Sequence, residues 1–280
     1  MSRRKLRKRI SFFLYICIAF VSIFVCCLVT VANPSVFVKT FTSSECVEAL
    51  RNDVALYASD MCKKNNISDD FVDDAISYDT MYHLQKAYVS GSLGASEQYN
   101  ENAFAGMLED FEADLEQSVA KSLDANAISA DSYDGNGLTQ FCRNIADYVE
   151  SRIDFQYMND VRHAIKRIKI ISYIFIAVFV PTAAALIVVV SLKGGKSYKI
   201  LQSIASSVLG ASFMNVVVAA ALGIVNATKD LVIYPLYIAG AFVDYFQLTA
   251  LTFTSCSAIL FMVFLVLLVA GWKLKRSEKE

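Results

Sequence analysis

A chain of 280 residues that is 55% hydrophobic, with a mean hydropathy of +0.43, is too apolar for an ordinary soluble domain and reads as a multi-span membrane protein. Its net charge of -1 conceals a segregation. Residues 32–167 hold 23 Asp/Glu against 11 Lys/Arg, a sum of -12, while the rest holds 15 Lys/Arg against 4 Asp/Glu, a sum of +11. Nucleic acid is therefore not an expected partner; the lipid bilayer is.

Residues 1–9 form a basic head with Arg3, Arg4, Lys5, Arg7, Lys8 and Arg9. Four apolar runs follow along the chain: 10–31, 168–192, 200–225 and 250–272. Each can cross a bilayer, because ~20 helical residues at ~1.5 Å rise span a ~30 Å hydrocarbon core. The first run is longer than the ~7–15 apolar residues of a signal peptide, so it is expected to stay as an anchor. Basic residues near membrane ends remain cytoplasmic. The loop 193–199 carries Lys193, Lys196 and Lys199, and the tail 273–280 carries Lys273, Lys275, Arg276 and Lys279. Four crossings put head, loop and tail on one side. Both termini are thus expected in the cytoplasm, with 32–167 and 226–249 outside. Arg162, Lys166, Arg167 and Lys169, at the outer end of the second span, run against this, and the six N-terminal charges are expected to dominate.

The acidic segment reads as helices throughout. Asn33-Pro34 is expected to break the chain after the first span. Thr42-Ser43-Ser44-Glu45 fits a capping box, and Val47, Leu50, Val54, Tyr57 and Met61 recur at helical spacing. A second stretch, 69–91, is expected to start under a Ser68 cap, break near Ser77–Asp79 and end at Gly91. A third helix, 101–125, sets Phe104, Met107, Leu108, Phe111, Leu115, Val119 and Leu123 on one face and Glu109, Asp110, Glu112, Asp114 and Glu116 on the other. After a polar loop around Asp134-Gly135-Asn136-Gly137, a fourth helix turns Phe141, Cys142, Ile145, Val149 and Ile153 inward. No Pro or Gly separates it from the second span, so one continuous helix is expected there.

Four amphipathic helices on short loops imply an antiparallel bundle. The expected fold is an all-α membrane protein: four transmembrane helices with an extracytoplasmic antiparallel helical bundle inserted between the first and second. In architecture alone this resembles the periplasmic four-helix sensor modules of bacterial chemoreceptors. It departs from them downstream, where only 193–199 separates the second span from the third.

Seven cysteines are present. Cys17, Cys26, Cys27 and Cys256 fall in spans, where thiols act as small apolar groups. Cys46, Cys62 and Cys142 fall outside, where disulfides persist. Cys46 and Cys62 share a helix and stand ~24 Å apart, beyond disulfide reach. Measured along the helices from the membrane, Cys62 and Cys142 reach similar heights, which makes them the preferred pair; three free buried thiols are the alternative.

No Asp, Glu, Lys, Arg or His lies in the interior of a span, which counts against proton-coupled transport. Pro181 marks a kink or hinge in the second span. The third span is rich in small residues, with Gly210 at small-xxx-small spacing from Ser206 and Asn215 near the middle, and it reads as a packing helix or a homo-oligomer face. Leu231–Val243 is apolar but too short to cross, and reads as an interfacial or partly re-entrant helix.

No catalytic, cofactor or metal-binding pattern emerges. His83 and His163 lack ligand-spaced partners, and the acidic loop residues lack the alternation of a calcium loop. The expected function is non-enzymatic: an outer helical domain that binds an unknown protein partner or senses a condition. The alternative is a subunit of a transporter, channel or membrane assembly complex.

Overall fold

The computed structural model describes residues 3–95, 101–125, 135–193, 196–227 and 235–277. Those residues are all-helical, without a strand. The helices are α1 (Arg3–Val29), α2 (Pro34–Phe41), α3 (Ser44–Asn65), α4 (Val72–Ala75), α5 (Tyr78–Leu93), α6 (Glu101–Ala125), α7 (Gly135–Ile153), α8 (Met158–Lys193), α9 (Ser197–Ala227) and α10 (Leu236–Ser277). Four helical stretches are long and apolar enough to cross a membrane: Lys8–Val29, the stretch ending at Leu192, Ser197–Ile224 and Tyr237–Ser277. The chain divides into two units, one of Pro34–Ala164 with Leu231–Asp244, the other of the remaining segments.

In the first unit, Pro34 opens α2, a position where its missing N–H costs nothing. α3, α5, α6 and α7 close one core, with Leu50, Val54, Leu84, Leu115, Val119, Ile145 and Val149 among its buried residues. Met107 and Leu108 pack at its edge. α3 packs on α5 and α7, and α6 packs on the same two helices. Asp53 pairs with Arg152 and Tyr57 stacks on Tyr148, so numbering rises along α3 as it falls along α7.

The helix ends follow local chemistry, with three departures from the sequence expectation. Ser77 caps α5 by accepting from the Thr80 N–H at 3.1 Å, which fixes the expected break. The capping box is absent. α3 starts one residue later than that pattern requires, Ser43 makes no side-chain cap, and the Thr42 hydroxyl donates back to the Val38 carbonyl at 2.9 Å. Ser68 caps nothing, because its hydroxyl donates to the Asp70 carboxylate at 2.7 Å and α4 begins only after Phe71. α5 runs through Gly91 and ends where Gly94 takes φ 61, a left-handed turn that glycine adopts without steric cost. The polar loop expected before Gly135 lies largely outside the described residues.

α7 and α8 are not one helix. Residues 154–157 interrupt them, because Phe155 is buried against Phe242 (ring centroids 5.5 Å apart) and the Asp154 carboxylate accepts the Tyr88 hydroxyl at 2.6 Å. The apolar stretch 231–243 also differs from its expected form. Its first residues lie outside the described ones, but from Leu236 it is the start of α10, which continues without a break for 42 residues. Phe242 meets Phe37 and Phe41 edge-on at 5.8 and 5.1 Å, so the stretch serves this unit's own packing.

In the second unit, chain direction can be read from contacts. Ser11 meets Ser203, Tyr15 meets Gly210 and Ser22 meets Asn215, so α9 runs with α1. Phe20 stacks on Phe179 and Phe24 on Phe175, with centroids 5.1 and 4.5 Å apart, so α8 runs against α1. Cys26 meets Cys256 while the Tyr245 hydroxyl donates to the Val31 carbonyl at 3.2 Å, so α10 also runs against it.

Candidate functional site

Polar side chains of α1 and α9 meet on one seam. α1 presents Ser11 and Ser22; α9 presents Ser203, Ser207 and Asn215. Ser11 donates to the Ser203 carbonyl at 3.2 Å, and the two hydroxyls also touch. The Ser207 hydroxyl lies 2.9 Å from the Ser11 carbonyl and 3.0 Å from that of Ser203. Three turns along, the fully buried Asn215 donates to the Ser22 hydroxyl at 2.8 Å and to the Ala211 carbonyl at 2.9 Å. Its Oδ1 is buried without a partner.

Between these contacts Gly210 lets the helices approach closely. A Cβ there would stand 2.6 Å from Cδ2 of the Tyr15 ring, closer than van der Waals contact allows. On α10, Ser257 and Ser212 exchange reciprocal bonds, each hydroxyl donating to the other's carbonyl at 2.9 Å. The seam can hold helices together, because each hydroxyl finds an acceptor where lipid would offer none.

The structure brings Gly210 and Asn215 onto this seam and leaves Pro181 apart from it, exposed within α8. There the Thr182 hydroxyl donates to the Val178 carbonyl at 2.7 Å, compensating for part of the bonding that proline disrupts.

Cys62 and Cys142 lie in the other unit, both fully buried in its core and both free thiols. Two residue pairs give the register of α3 against α7, Asp53 with Arg152 and Tyr57 with Tyr148. Five residues on from Tyr57 is Cys62, and six back from Tyr148 is Cys142. Their heights therefore agree to about 1.5 Å. Burial pushes the Cys142 thiol up to about 12, with Glu116, Glu112 and Cys62 adding to the rise. Burial pushes Cys62 up to about 11, with help from Asp69. Both are held as neutral, unreactive thiols.

Sequence reasoning missed a cluster farther along the same two helices. The Arg152 guanidinium lies 3.0 Å from the Asp53 carboxylate and donates to the Tyr148 hydroxyl at 2.5 Å. Tyr148 in turn donates to Asp53 at 3.3 Å, and Tyr237 donates to the Arg152 carbonyl at 2.8 Å. The only early signal was a pair of i,i+4 spacings, Asp53/Tyr57 and Tyr148/Arg152, which acquires meaning once the register of α3 on α7 is known. Among the described residues no group of His, Cys, Asp and Glu could hold a metal ion. Comparison with protein-family models, curated proteins and solved structures returns no match, so the functional reading rests on this geometry.

Proposed function

We propose that this is a non-enzymatic, multi-pass protein of the cell membrane, with cytoplasmic N- and C-termini. Its acidic extracytoplasmic antiparallel bundle binds a protein partner or senses a condition. One observation carries the reading: the two units spend their polar groups differently. In the membrane-length helices the seam hydroxyls and Asn215 are committed to joining helices. In the acidic unit the core closes on itself and the carboxylates of α6, such as Glu109, Asp110 and Asp114, stay on the surface. Recognition therefore belongs to the domain. The helix directions support four crossings, since alternate spans must run parallel and neighbours in sequence antiparallel.

One feature favours the alternative, a subunit of a transporter, channel or assembly complex. α8 leaves Ile170, Ile174 and Val178 more than half exposed, a face open to lipid or to another subunit. A homo-oligomer through α9 would use Phe213, Val216 and Val217, because its small-residue face is occupied by α1.

Two experiments test the proposal. Reporters fused after Lys196 and after Asp134 should lie on opposite sides of the membrane, and matching sidedness refutes the topology. Photo-crosslinkers placed at Glu109 and Asp114 in cells should give one discrete adduct that is lost on charge reversal of α6. Ion or solute flux through liposomes holding only the purified protein would instead establish the pore reading.

A further inference from the structure

Three cations of α8, Lys166, Arg167 and Lys169, run against the bias that orients the chain. All three are exposed. Among the described residues none of them makes an ion pair or a hydrogen bond. The one acid on α8, Asp160, stands six residues from Lys166, outside the three- or four-residue spacing at which helix side chains meet. The helix that carries these cations has two faces. Ile165 and Ser172 are buried, and Phe175 and Phe179 stack on Phe24 and Phe20 of α1. These four recur after seven, three and four residues, which is one side of a helix. On the opposite side Lys166, Ile170, Tyr173 and Ala177 recur after four, three and four, and every one is exposed. Lys169 borders that stripe on one flank, Arg167 and Ile174 on the other. Charge therefore gives way to hydrocarbon along one continuous surface, about 12 Å from Lys166 to Ile174.

We propose that this surface binds an anionic phospholipid. The two chemistries together fix the occupant. An acidic soluble surface would meet the cations and leave Ile170, Tyr173 and Ile174, each more than half exposed, uncovered. A neutral lipid would cover those three and leave the cations without counter-charge. One molecule with an anionic head and acyl tails matches both, its head at Lys166, Arg167 and Lys169 and its chains along Ile170 and Ile174. Lysine and arginine suit the junction, because their methylene stems lie along apolar chain while the charge reaches the headgroup. Tyr173, with an apolar ring and a polar tip, belongs at the same boundary. Each cation at an anionic membrane surface contributes about fivefold in binding, so three together set an upper bound on the order of a hundredfold for anionic over neutral lipid.

The inference rests on the proposal that α8 crosses a membrane, and it deepens that proposal by naming the lipid class. It holds whichever side of the membrane the cations face.

The test uses the full-length chain carrying Tyr173→Trp with Trp272→Phe, whose single indole then lies beside the three cations. The protein is placed in phosphatidylcholine nanodiscs holding a minority of phosphatidylglycerol, with brominated chains on one lipid at a time. Bromine quenches an indole only on close contact, so the fluorescence reports which lipid lies against α8. Phosphatidylglycerol should show a relative affinity at least about fivefold that of phosphatidylcholine. Lys166→Gln, Arg167→Gln and Lys169→Gln combined should bring the two lipids within about twofold, whereas Lys166→Arg, Arg167→Lys and Lys169→Arg combined should keep the preference. Circular dichroism of each variant checks that the helices persist. Equal affinities in the parent, or a preference that survives the triple glutamine change, would overturn the inference. A cross-link from Lys169 to an acidic protein in cells, without lipid preference in nanodiscs, would overturn it in favour of a protein partner. Absence of quenching by either brominated lipid would place α8 outside the bilayer and overturn the membrane reading with it, so the two failures are told apart.

Discussion

The two units of this chain solve the same problem, holding helices together, with opposite materials. In the acidic unit, water drives burial of Leu50, Leu115, Ile145 and Val149, and carboxylates are left outside. In the membrane-length helices, close approach at Gly210 and hydroxyl-to-carbonyl bonds hold the pair together, contacts that would persist where lipid removed that driving force. The difference teaches that truncating a large side chain should hurt the first unit, whereas enlarging a small one should hurt the second.

The largest expected effect is Leu115→Ala in the domain core, a loss of about 2–5 kcal/mol, measured by denaturant unfolding followed through helix content. Gly210→Leu should come next, at about 1–3 kcal/mol, because its side chain must displace the Tyr15 ring. A Ser11→Cys/Ser207→Cys cross-link, efficient in the wild-type background, should fall several-fold when Gly210→Leu is added. Asn215→Ala should cost least among the substitutions, roughly 0.6 kcal/mol. Ser22 keeps its own bond to the Ala19 carbonyl at 2.9 Å, and the unpartnered Oδ1 is removed with the side chain. A loss above 2 kcal/mol in a detergent unfolding titration would show that the seam is worth more than membrane hydrogen bonds usually are.

The thiols give a finer reading of the domain side. Native Cys142 should react with maleimide at least a hundredfold more slowly than an introduced surface cysteine, and denaturation without reductant should release both Cys62 and Cys142 for labelling. A joined Cys62–Cys142 peptide in the mass map would show instead that the pair oxidises. The pH dependence has a definite sign. Burial in the fold raises both thiols above the ordinary thiol value of 9.0, Cys62 to about 11 and Cys142 to about 12. The folded state therefore holds protons that the unfolded state releases, and this contribution to stability is complete below pH 9 and is lost as pH rises toward 12. The denaturant midpoint should stay flat up to about pH 8 and fall above it, less steeply in Cys142→Ala.

Much of this was legible in the sequence because it is local. Runs of ~20 apolar residues marked the four membrane-length helices, and helical spacing from Phe104 to Leu123 marked α6 at Glu101–Ala125. The break between α7 and α8 was not legible, because it is made by Tyr88, 66 positions from Asp154, and by Phe242. The capping box failed because Thr42 is claimed by α2 behind it. Leu231–Val243 read as a short helix of its own, yet the single charge of Asp244 after it does not stop a helix, and α10 passes through it. On the seam, Gly210 and Asn215 were visible as odd residues in an apolar run. Their partners Tyr15 and Ser22 were not, because that pairing is fixed by the register of helices nearly 200 residues apart.

That separation bears on how the protein is made. Ser22 and Asn215 lie 193 positions apart, so at roughly 5–20 residues per second α1 is complete some 10–40 s before its partner helix is synthesised. An isolated polar helix would be at risk during that wait. α1 carries its own provision: Ser22 bonds the Ala19 carbonyl and Thr30 that of Cys26 at 2.8 Å, so neither hydroxyl depends on α9 for its first acceptor. Ser11, whose acceptor is the Ser203 carbonyl, is the α1 hydroxyl left waiting for α9, so docking of the late helix completes the seam.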